Sequence, residues 1–159
     1  FLAVYSGQYQ QARAFFEKAM LTYQGVDADF NVLLNKSNLA HLERQFGHYE
    51  QALERYRETI VGFRDIGQLG GIAHQLECFG FLAMAGDREE RALKLFAAAD
   101  ALREKVGAPM TSEEEAYFDE QISVLRQNME PGQFERIWNS GRALTMEQAV
   151  QFALEENTG

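Results

Sequence analysis

The chain has few of the residues that interrupt helices or crosslink a polypeptide. Its 159 residues include one cysteine and two prolines, so no internal disulfide can form and long helices are permitted. No uninterrupted apolar run approaches the roughly 20 residues that span a bilayer, and the first residues lack the basic and apolar stretches of a secretory signal. We therefore expect a cytoplasmic protein without a membrane segment.

Basic residues are scarce towards the carboxyl end. Residues 1–110 carry 14 acidic and 12 basic side chains, whereas residues 111–159 carry 10 acidic and 3 basic, within a formal net charge of -9. An acidic chain does not attract phosphate backbones, so no direct binding to nucleic acid is expected. The composition changes near Pro109. This change predicts helical repeats over residues 1–108 and acidic capping helices over 109–159, within one domain.

Alanine and aromatic residues recur at a fixed spacing. Aligning the chain on itself with a shift of 40 gives three columns without a gap: Ala12, Ala52 and Ala92; Phe16, Tyr56 and Phe96; Ala19, Thr59 and Ala99. Positions i, i+4 and i+7 lie on one stripe of an α-helix, where small residues admit a neighbouring helix and the ring fills the space beside them. The pattern therefore predicts one packing stripe in each repeat.

A glycine precedes each of these stripes and predicts a turn. The turns are Gly7-Gln8-Tyr9, Gly47-His48-Tyr49 and, displaced by one residue, Gly86-Asp87-Arg88. Small residues, Ala40 and Gly80, stand twelve positions before the second and third alanines. Each repeat is thus predicted to be a helical hairpin. The predicted helices cover residues 8–24, 29–45, 49–66, 70–85 and 89–106, with residues 1–5 the remnant of a cut first helix.

The tail carries its own helix signals. Thr111 and Thr145 each stand three residues before Glu114 and Gln148, which is typical of a helix start. Pro131 and the glycine after it predict a break. We expect a helix reaching about residue 128, a short helix over 134–139, and a last helix ending near residue 156.

A small residue, a turn glycine, alanine, an aromatic residue and alanine, in this order and at these offsets, resemble the tetratricopeptide repeat. The resemblance implies an all-α fold, an α-α superhelix of antiparallel hairpins closed by a helical cap. The period of 40 exceeds that family's usual 34. We expect helices longer by about a turn, with the extra residues where one hairpin joins the next.

In that family the first helix of each hairpin lines a concave groove. The resemblance implies a groove formed by Leu34, Ser37, His41, Arg44 and Gln45 from one repeat, beside His74, Glu77, Phe81 and Met84 from the next. Apolar side chains flanked by hydrogen-bonding groups would suit a protein or peptide ligand. The alternative for each residue is packing between hairpins.

The segment 86–154 resembles the carboxyl-terminal end of large bacterial signalling proteins. The similarity rests on an alanine-rich helix after Gly86-Asp87, on Gly107-Ala108-Pro109, and on the segments 138–145 and 147–150. Such proteins join an ATPase module, and often a DNA-binding or cyclase module, to a helical repeat tail. The resemblance implies the scaffold or sensor end of a signalling or transcription regulator.

Motifs for catalysis or metal binding are missing from the sequence. No phosphate loop and no Gly-x-Ser-x-Gly elbow occurs, and Cys78 lies in an apolar run that suits a structural thiol. His41, His48 and His74 do not have metal-site spacing, and Glu113 to Glu115 fan around a helix start. We expect no cofactor, no metal and no enzyme.

The sequence therefore predicts a non-catalytic module that binds other proteins. The alternative is a peptide or small-molecule sensor that regulates an attached ATPase or DNA-binding module. An uncapped first helix also predicts association through the amino-terminal flank, as a homodimer.

Overall fold

A computed structural model describes the backbone of residues 2–22 and 28–155, and the side chains of residues 7–19 and 29–155. Within these ranges the chain is all-α, with no strand. The helices are α1 (Leu2–Thr22), α2 (Ala28–Gln45), α3 (Tyr49–Asp65), α4 (Leu69–Ala85), α5 (Glu89–Val106), α6 (Ser112–Asn128), α7 (Gln133–Arg142) and α8 (Met146–Leu154). No helix in the described part of the chain has the length and apolar character needed to cross a membrane.

A left-handed backbone position recurs at even intervals along the middle of the chain. It falls on Gly47, Gly67, Asp87 and Gly107, with φ between 58° and 81°. After each of the first three, the next amide donates to a carbonyl five positions back: His48 to Glu43 at 2.8 Å, Gln68 to Phe63 at 2.9 Å and Arg88 to Ala83 at 2.8 Å. These bonds close a Schellman motif, so each of these three helices ends in the same way.

The turns explain the length of the repeat and correct part of the prediction. Three residues separate α2 from α3, α3 from α4 and α4 from α5. The extra residues therefore lengthen these helices, and none lies where α3 joins α4, while the junction of α1 and α2 falls outside the described residues. The apparent displacement of Gly86 also disappears, because Asp87 takes the left-handed position one full repeat after Gly47.

The predicted turn at Gly7 is wrong. Residues Leu2–Thr22 form one continuous helix with Gly7 inside it, so residues 2–5 are the start of α1 and no separate remnant. A glycine inside a helix costs only about 1 kcal/mol relative to alanine, which the rest of a 21-residue helix can absorb. Phe1 and the predicted end of this helix at residues 23 and 24 lie outside the described residues.

The first compact unit, Phe1–Gln68, contains α1, α2 and α3. Helix α2 packs against both of the others. The predicted stripe of α3 is fully buried at Ala52, Tyr56 and Thr59, as is Ala40 on α2, whereas Ala12 on α1 is only partly buried. Small residues thus allow α2 and α3 to approach closely.

The second compact unit, Leu69–Gly159, contains α4 to α8. Ala92, Phe96 and Ala99 are fully buried on α5, and a Cβ atom at Gly80 of α4 would lie 2.6 Å from Phe96 Cδ1. The ring therefore occupies the space that the missing side chain leaves, as the stripe predicts. The predicted change of composition near Pro109 falls inside this unit.

The tail helices of the second unit pack on α5. A buried cluster joins α4 and α5 to the tail helices α6 and α7: Ala83, Ala92, Leu93, Phe96, Phe118, Leu125 and Phe134. The guanidinium of Arg91 on α5 lies 4.6 Å from the ring centroid of Phe152 and donates to the Phe152 carbonyl at 2.8 Å. These contacts hold α8 against α5.

Both predicted hydroxyl-led helix starts are confirmed. Thr111 accepts from the Glu114 amide at 3.2 Å, and the Glu114 carboxylate accepts from the Thr111 amide at 2.8 Å. Thr145 and Gln148 make the same reciprocal pair at 3.1 Å and 2.9 Å. Each capping box satisfies two amides that the helix itself cannot.

Candidate functional site

The predicted residues on α2 differ in their exposure. Leu34 is 40% exposed and Gln45 is exposed, whereas His41 and Arg44 are partly buried. His41 Nδ1 lies 2.7 Å from the Tyr56 hydroxyl, and Arg44 Nε donates to the same oxygen at 3.3 Å. Because Tyr56 is fully buried, its hydroxyl needs these partners. His41 and Arg44 therefore anchor α2 to α3 as well as bordering the surface around Leu34.

Two of the nine predicted residues are buried, which corrects the expectation for them. Ser37 is 1% exposed and Glu77 is 3% exposed, so neither side chain is presented to a partner. Neighbouring residues of an α-helix are rotated by about 100° around its axis. An error of one position can therefore place a core side chain on the predicted surface. The helical register of the resemblance is too coarse to exclude such residues.

Glu77 on α4 instead forms the main ion pair of the second unit. Arg103 on α5 donates to Glu77 from Nη2 at 2.9 Å and from Nε at 2.5 Å, and its Nη1 donates to the Ala108 carbonyl at 3.0 Å. Burial is the largest influence and lowers the pKa of Arg103, but the hydrogen bond with Glu77 and the negative charges around the guanidinium together raise it, and the net shift is upward. This bidentate pair ties α4, α5 and the following loop together.

His74 on α4 lies among ionisable groups of the same unit. Its Nδ1 is 3.6 Å from Glu77 Oε1 and 3.7 Å from Glu114 Oε1. The nearby Cys78 sulfur is the largest influence and raises the pKa of His74 to about 11, against the lowering effect of burial. The imidazole is therefore positively charged at neutral pH, and it links α4 to the first turn of α6.

Phe81 and Met84 continue the same face of α4. The ring centroid of Phe81 lies 5.2 Å from that of Phe96 in the core and 4.7 Å from that of Tyr117 on α6. Met84 is partly buried against the same cluster. These two residues therefore lie at the edge of the core, with one side packed inwards.

Helix α6 carries exposed residues that the sequence analysis did not select. Tyr117 is 43% exposed and Val124 is 38% exposed. Tyr117 and Val124 lie one full repeat after Glu77 and Met84. Extending the 40-residue repeat past Pro109 would therefore have identified them. Because the segment was read only as an acidic cap, its apolar face was missed.

A cavity of about 480 Å³ lies between α5 and α6. Four carboxylates line it, together with apolar groups that include Met110 and Phe118: Asp100, Glu104, Glu115 and Asp119. Burial raises the pKa of Asp100, and Arg142, which is ion-paired with it, opposes this effect. The cavity is therefore lined by both acidic and apolar groups, with Arg103 among them.

Comparison with known proteins identifies a repeat region at the amino-terminal side. Residues 1–64 match the family model for the tetratricopeptide repeat, which covers fewer than half of the residues and extends almost to the end of α3. No curated protein and no solved structure matches the chain. The match and the helical hairpins agree on a tetratricopeptide-like repeat region. Tetratricopeptide repeats generally mediate interactions between proteins.

Proposed function

We propose that the chain is a non-catalytic module that binds protein or peptide segments on the exposed faces of its first helices. The observation that carries the proposal is the tetratricopeptide match over the hairpin of α2 and α3. On that hairpin Leu34 offers an apolar contact, and Arg44 and Gln45 offer hydrogen-bond donors near the helix end. A few desolvated apolar groups with polar neighbours are what peptide recognition requires.

A random peptide library selected against the full chain tests this proposal. We expect enriched peptides whose affinity falls at least about tenfold in Leu34→Glu, because a buried apolar contact is replaced by a charge. Ile66→Glu is the matched control, since Ile66 is 37% exposed but lies in the turn after α3. Peptides that bind both variants equally, or a selection without enrichment, would refute the proposed surface.

The same proposal places the chain in the cytoplasm, as the carboxyl-terminal part of a bacterial signalling or transcription regulator with an ATPase module. Its support is the resemblance of residues 86–154 to the tails of such proteins. The coding sequence upstream of Phe1 tests this context directly. An adjoining ATPase module is expected, and a continuous run of unrelated domains would contradict it.

A sensor function is the second candidate, and the cavity between α5 and α6 favours it. Its volume of about 480 Å³ is within the range of small-molecule sites. A ligand that binds only the folded chain raises its melting temperature once the ligand concentration exceeds Kd. A metabolite screen by thermal shift is the measurement, and Asp119→Asn in the cavity lining should remove any shift that arises there.

Self-association through α1 is the remaining part of the proposal. Phe15 on α1 is 68% exposed, the highest value among the exposed large hydrophobic residues that the structure describes, and its ring lies 5.6 Å from that of the partly buried Phe16. An exposed aromatic ring on a helix suits a symmetric dimer contact. Light scattering should show a dimer that Phe15→Asp converts to a monomer and Gln10→Asp does not. A wild-type monomer at all concentrations would contradict it.

A further inference from the structure

One exposed stripe of α6 alternates carboxylates with apolar side chains. Glu113, Tyr117, Glu120 and Val124 follow one another at i, i+4, i+7 and i+11, which places them along a single face. All four are exposed. The two apolar groups are separated by two helical turns, roughly 10 Å along the axis.

The buried face of α6 fixes the orientation of this stripe. Phe118 and Leu125 are buried in the core cluster, and Ile122 packs against it. Each of these side chains is rotated by about a quarter of a turn or more around the helix axis from the exposed stripe. The Tyr117 ring is further held by Phe81, whose centroid is 4.7 Å away. The stripe is therefore presented on a helix that cannot rotate without opening the core.

The stripe itself carries only negative charge. No lysine or arginine occurs between Val106 and Leu125, whereas α6 contains five carboxylates in its first nine residues. Glu115 and Asp119 extend the negative charge to the side of the helix that faces α5, where Asp100 and Glu104 are ion-paired with Arg142. Such a surface attracts a cationic partner and repels anionic membranes and nucleic acids.

We propose that this face of α6 docks a cationic amphipathic helix of a partner protein, and the inference rests on the proposed protein-binding function. Apolar partner residues at i and i+7 would cover Tyr117 and Val124. A lysine or arginine between them would lie opposite Glu120, and another beyond the residue that covers Tyr117 would lie opposite Glu113. The apolar pair supplies affinity, because exposed ion pairs contribute little, and the carboxylates supply orientation and association rate.

The test uses a synthetic helical peptide with leucine and lysine alternating at i, i+4, i+7 and i+11, and the full 159-residue chain. Fluorescence anisotropy measures its Kd. We expect saturable binding that weakens at least about tenfold in Tyr117→Ala, because the central aromatic contact is lost. The double variant Glu113→Gln with Glu120→Gln should weaken binding roughly threefold or more and reduce its dependence on salt.

Matched controls exist on α3. Tyr49 is 48% exposed, close to the 43% of Tyr117, and it precedes the exposed Glu50. Tyr49→Ala and Glu50→Gln should each change the Kd less than about twofold, because both residues lie outside the α6 face. Circular dichroism and melting curves establish that every variant is folded. A peptide of the same composition in scrambled order should bind only weakly.

Three results would overturn the inference: no saturable binding of the alternating peptide, equal binding by wild type and Tyr117→Ala, or equal binding of the scrambled peptide. The peptide-library selection separates this failure from failure of the proposed function. If the selected peptides depend on Leu34 but the alternating peptide does not bind, the protein-binding function is supported and the proposed α6 face is wrong. Binding of the alternating peptide that is unchanged in Leu34→Glu identifies α6 as a separate surface.

Discussion

Gly80 lies against the ring of Phe96, and the contact leaves no room for a methyl group. Phe96 is fully buried, with the rings of Phe81 and Phe118 at centroid distances of 5.2 and 5.3 Å. The ring therefore has nowhere to move. We expect Gly80→Ala to lower the free energy of unfolding by about 1–2 kcal/mol, because overpacking outweighs the gain in helix propensity. Urea unfolding followed by circular dichroism measures this change.

Gly7 provides the opposite case for the same substitution. It lies inside α1, and a Cβ atom there would meet none of the described atoms within 4 Å. Gly7→Ala should therefore raise the free energy of unfolding by about 0.5–1 kcal/mol through helix propensity alone. If both alanine variants gained stability, the close approach of α4 and α5 at Gly80 would be wrong.

The raised pKa of His74 predicts that the stability of the chain depends on pH. Cys78 and Glu77 raise its pKa from 6.5 to about 11 against the lowering effect of burial, and Glu114 also lies near it. Below pH 6.5 the stabilising charge is fully present, and it is lost as the pH rises towards 11. The stability advantage of wild type over His74→Asn should therefore shrink with rising pH, by at most about 1.4 kcal/mol per unit.

The measurement is the urea midpoint of both proteins at several pH values between about 6 and about 10. Cys78→Ala separates the contributions, because it removes the largest cause of the raised pKa and keeps the carboxylates. In that variant the contribution of His74 below pH 6.5 should be smaller, and its loss should be complete at a lower pH. A constant difference between wild type and His74→Asn across the range would show that His74 keeps an ordinary pKa.

The turns between helices repeat one backbone conformation with different residues. Gly47 ends α2 with φ 81°, and Asp87 takes the equivalent position after α4 with φ 58°. Gly47→Ala should cost about 1–2 kcal/mol, because a side chain disfavours this left-handed conformation. Asp87→Gly should gain about 0.5 kcal/mol for the same reason. Thermal denaturation of both variants measures the difference, and changes of equal sign would contradict the shared turn.

Helix α7 touches α5 at a point where both backbones meet. A Cβ atom at Gly141 would lie 2.7 Å from Ala97 Cβ and 3.1 Å from the Lys94 carbonyl carbon. Because backbone atoms cannot give way, Gly141→Ala should destabilise the chain by about 2–3 kcal/mol. Hydrogen exchange of the α7 amides should rise with it. Asn139→Ala, at an exposed position of α7, is the control and should leave both quantities unchanged.

The helices and their packing stripe followed from the sequence, but the polar pairs did not. In the first unit the buried Glu43 forms an ion pair of 2.8 Å with the partly buried Arg55, and the equivalent positions of the next repeat hold Ala83 and Leu95. The two side chains of each pair are complementary to one another, but the polar pair of one repeat has no counterpart in the other. Periodicity reveals what successive repeats share, so a polar pair that one repeat replaces with an apolar pair is invisible to it.

The burial of the candidate surface residues does not follow from the sequence, for the same physical reason. Leu34 is exposed, whereas Glu77 is buried because Arg103 binds it across the hairpin. Phe63 occupies the equivalent position one repeat before Arg103, so the repeat alone gives no sign of this partner. Tyr117 and Val124 were missed because the acidic composition of the tail concealed the continuing repeat.

At the scale of the whole molecule, the second compact unit has what an independent domain needs. Its core cluster draws on four helices, α4 to α7, and α8 is held through Arg91. We expect the fragment 69–159 to fold alone, because about 90 residues with one shared core lie within the size of natural domains. Its circular dichroism should be helical and its thermal unfolding cooperative.

A shorter fragment ending at residue 110 is the matched control. It keeps α4 and α5 but lacks Phe118, Leu125 and Phe134, which cover the other side of the cluster. An isolated hairpin buries too little apolar surface to offset its conformational entropy, so this fragment should unfold without a cooperative transition. If fragment 69–159 also lacked such a transition, the tail helices would not complete the core in the way that the packing on α5 indicates.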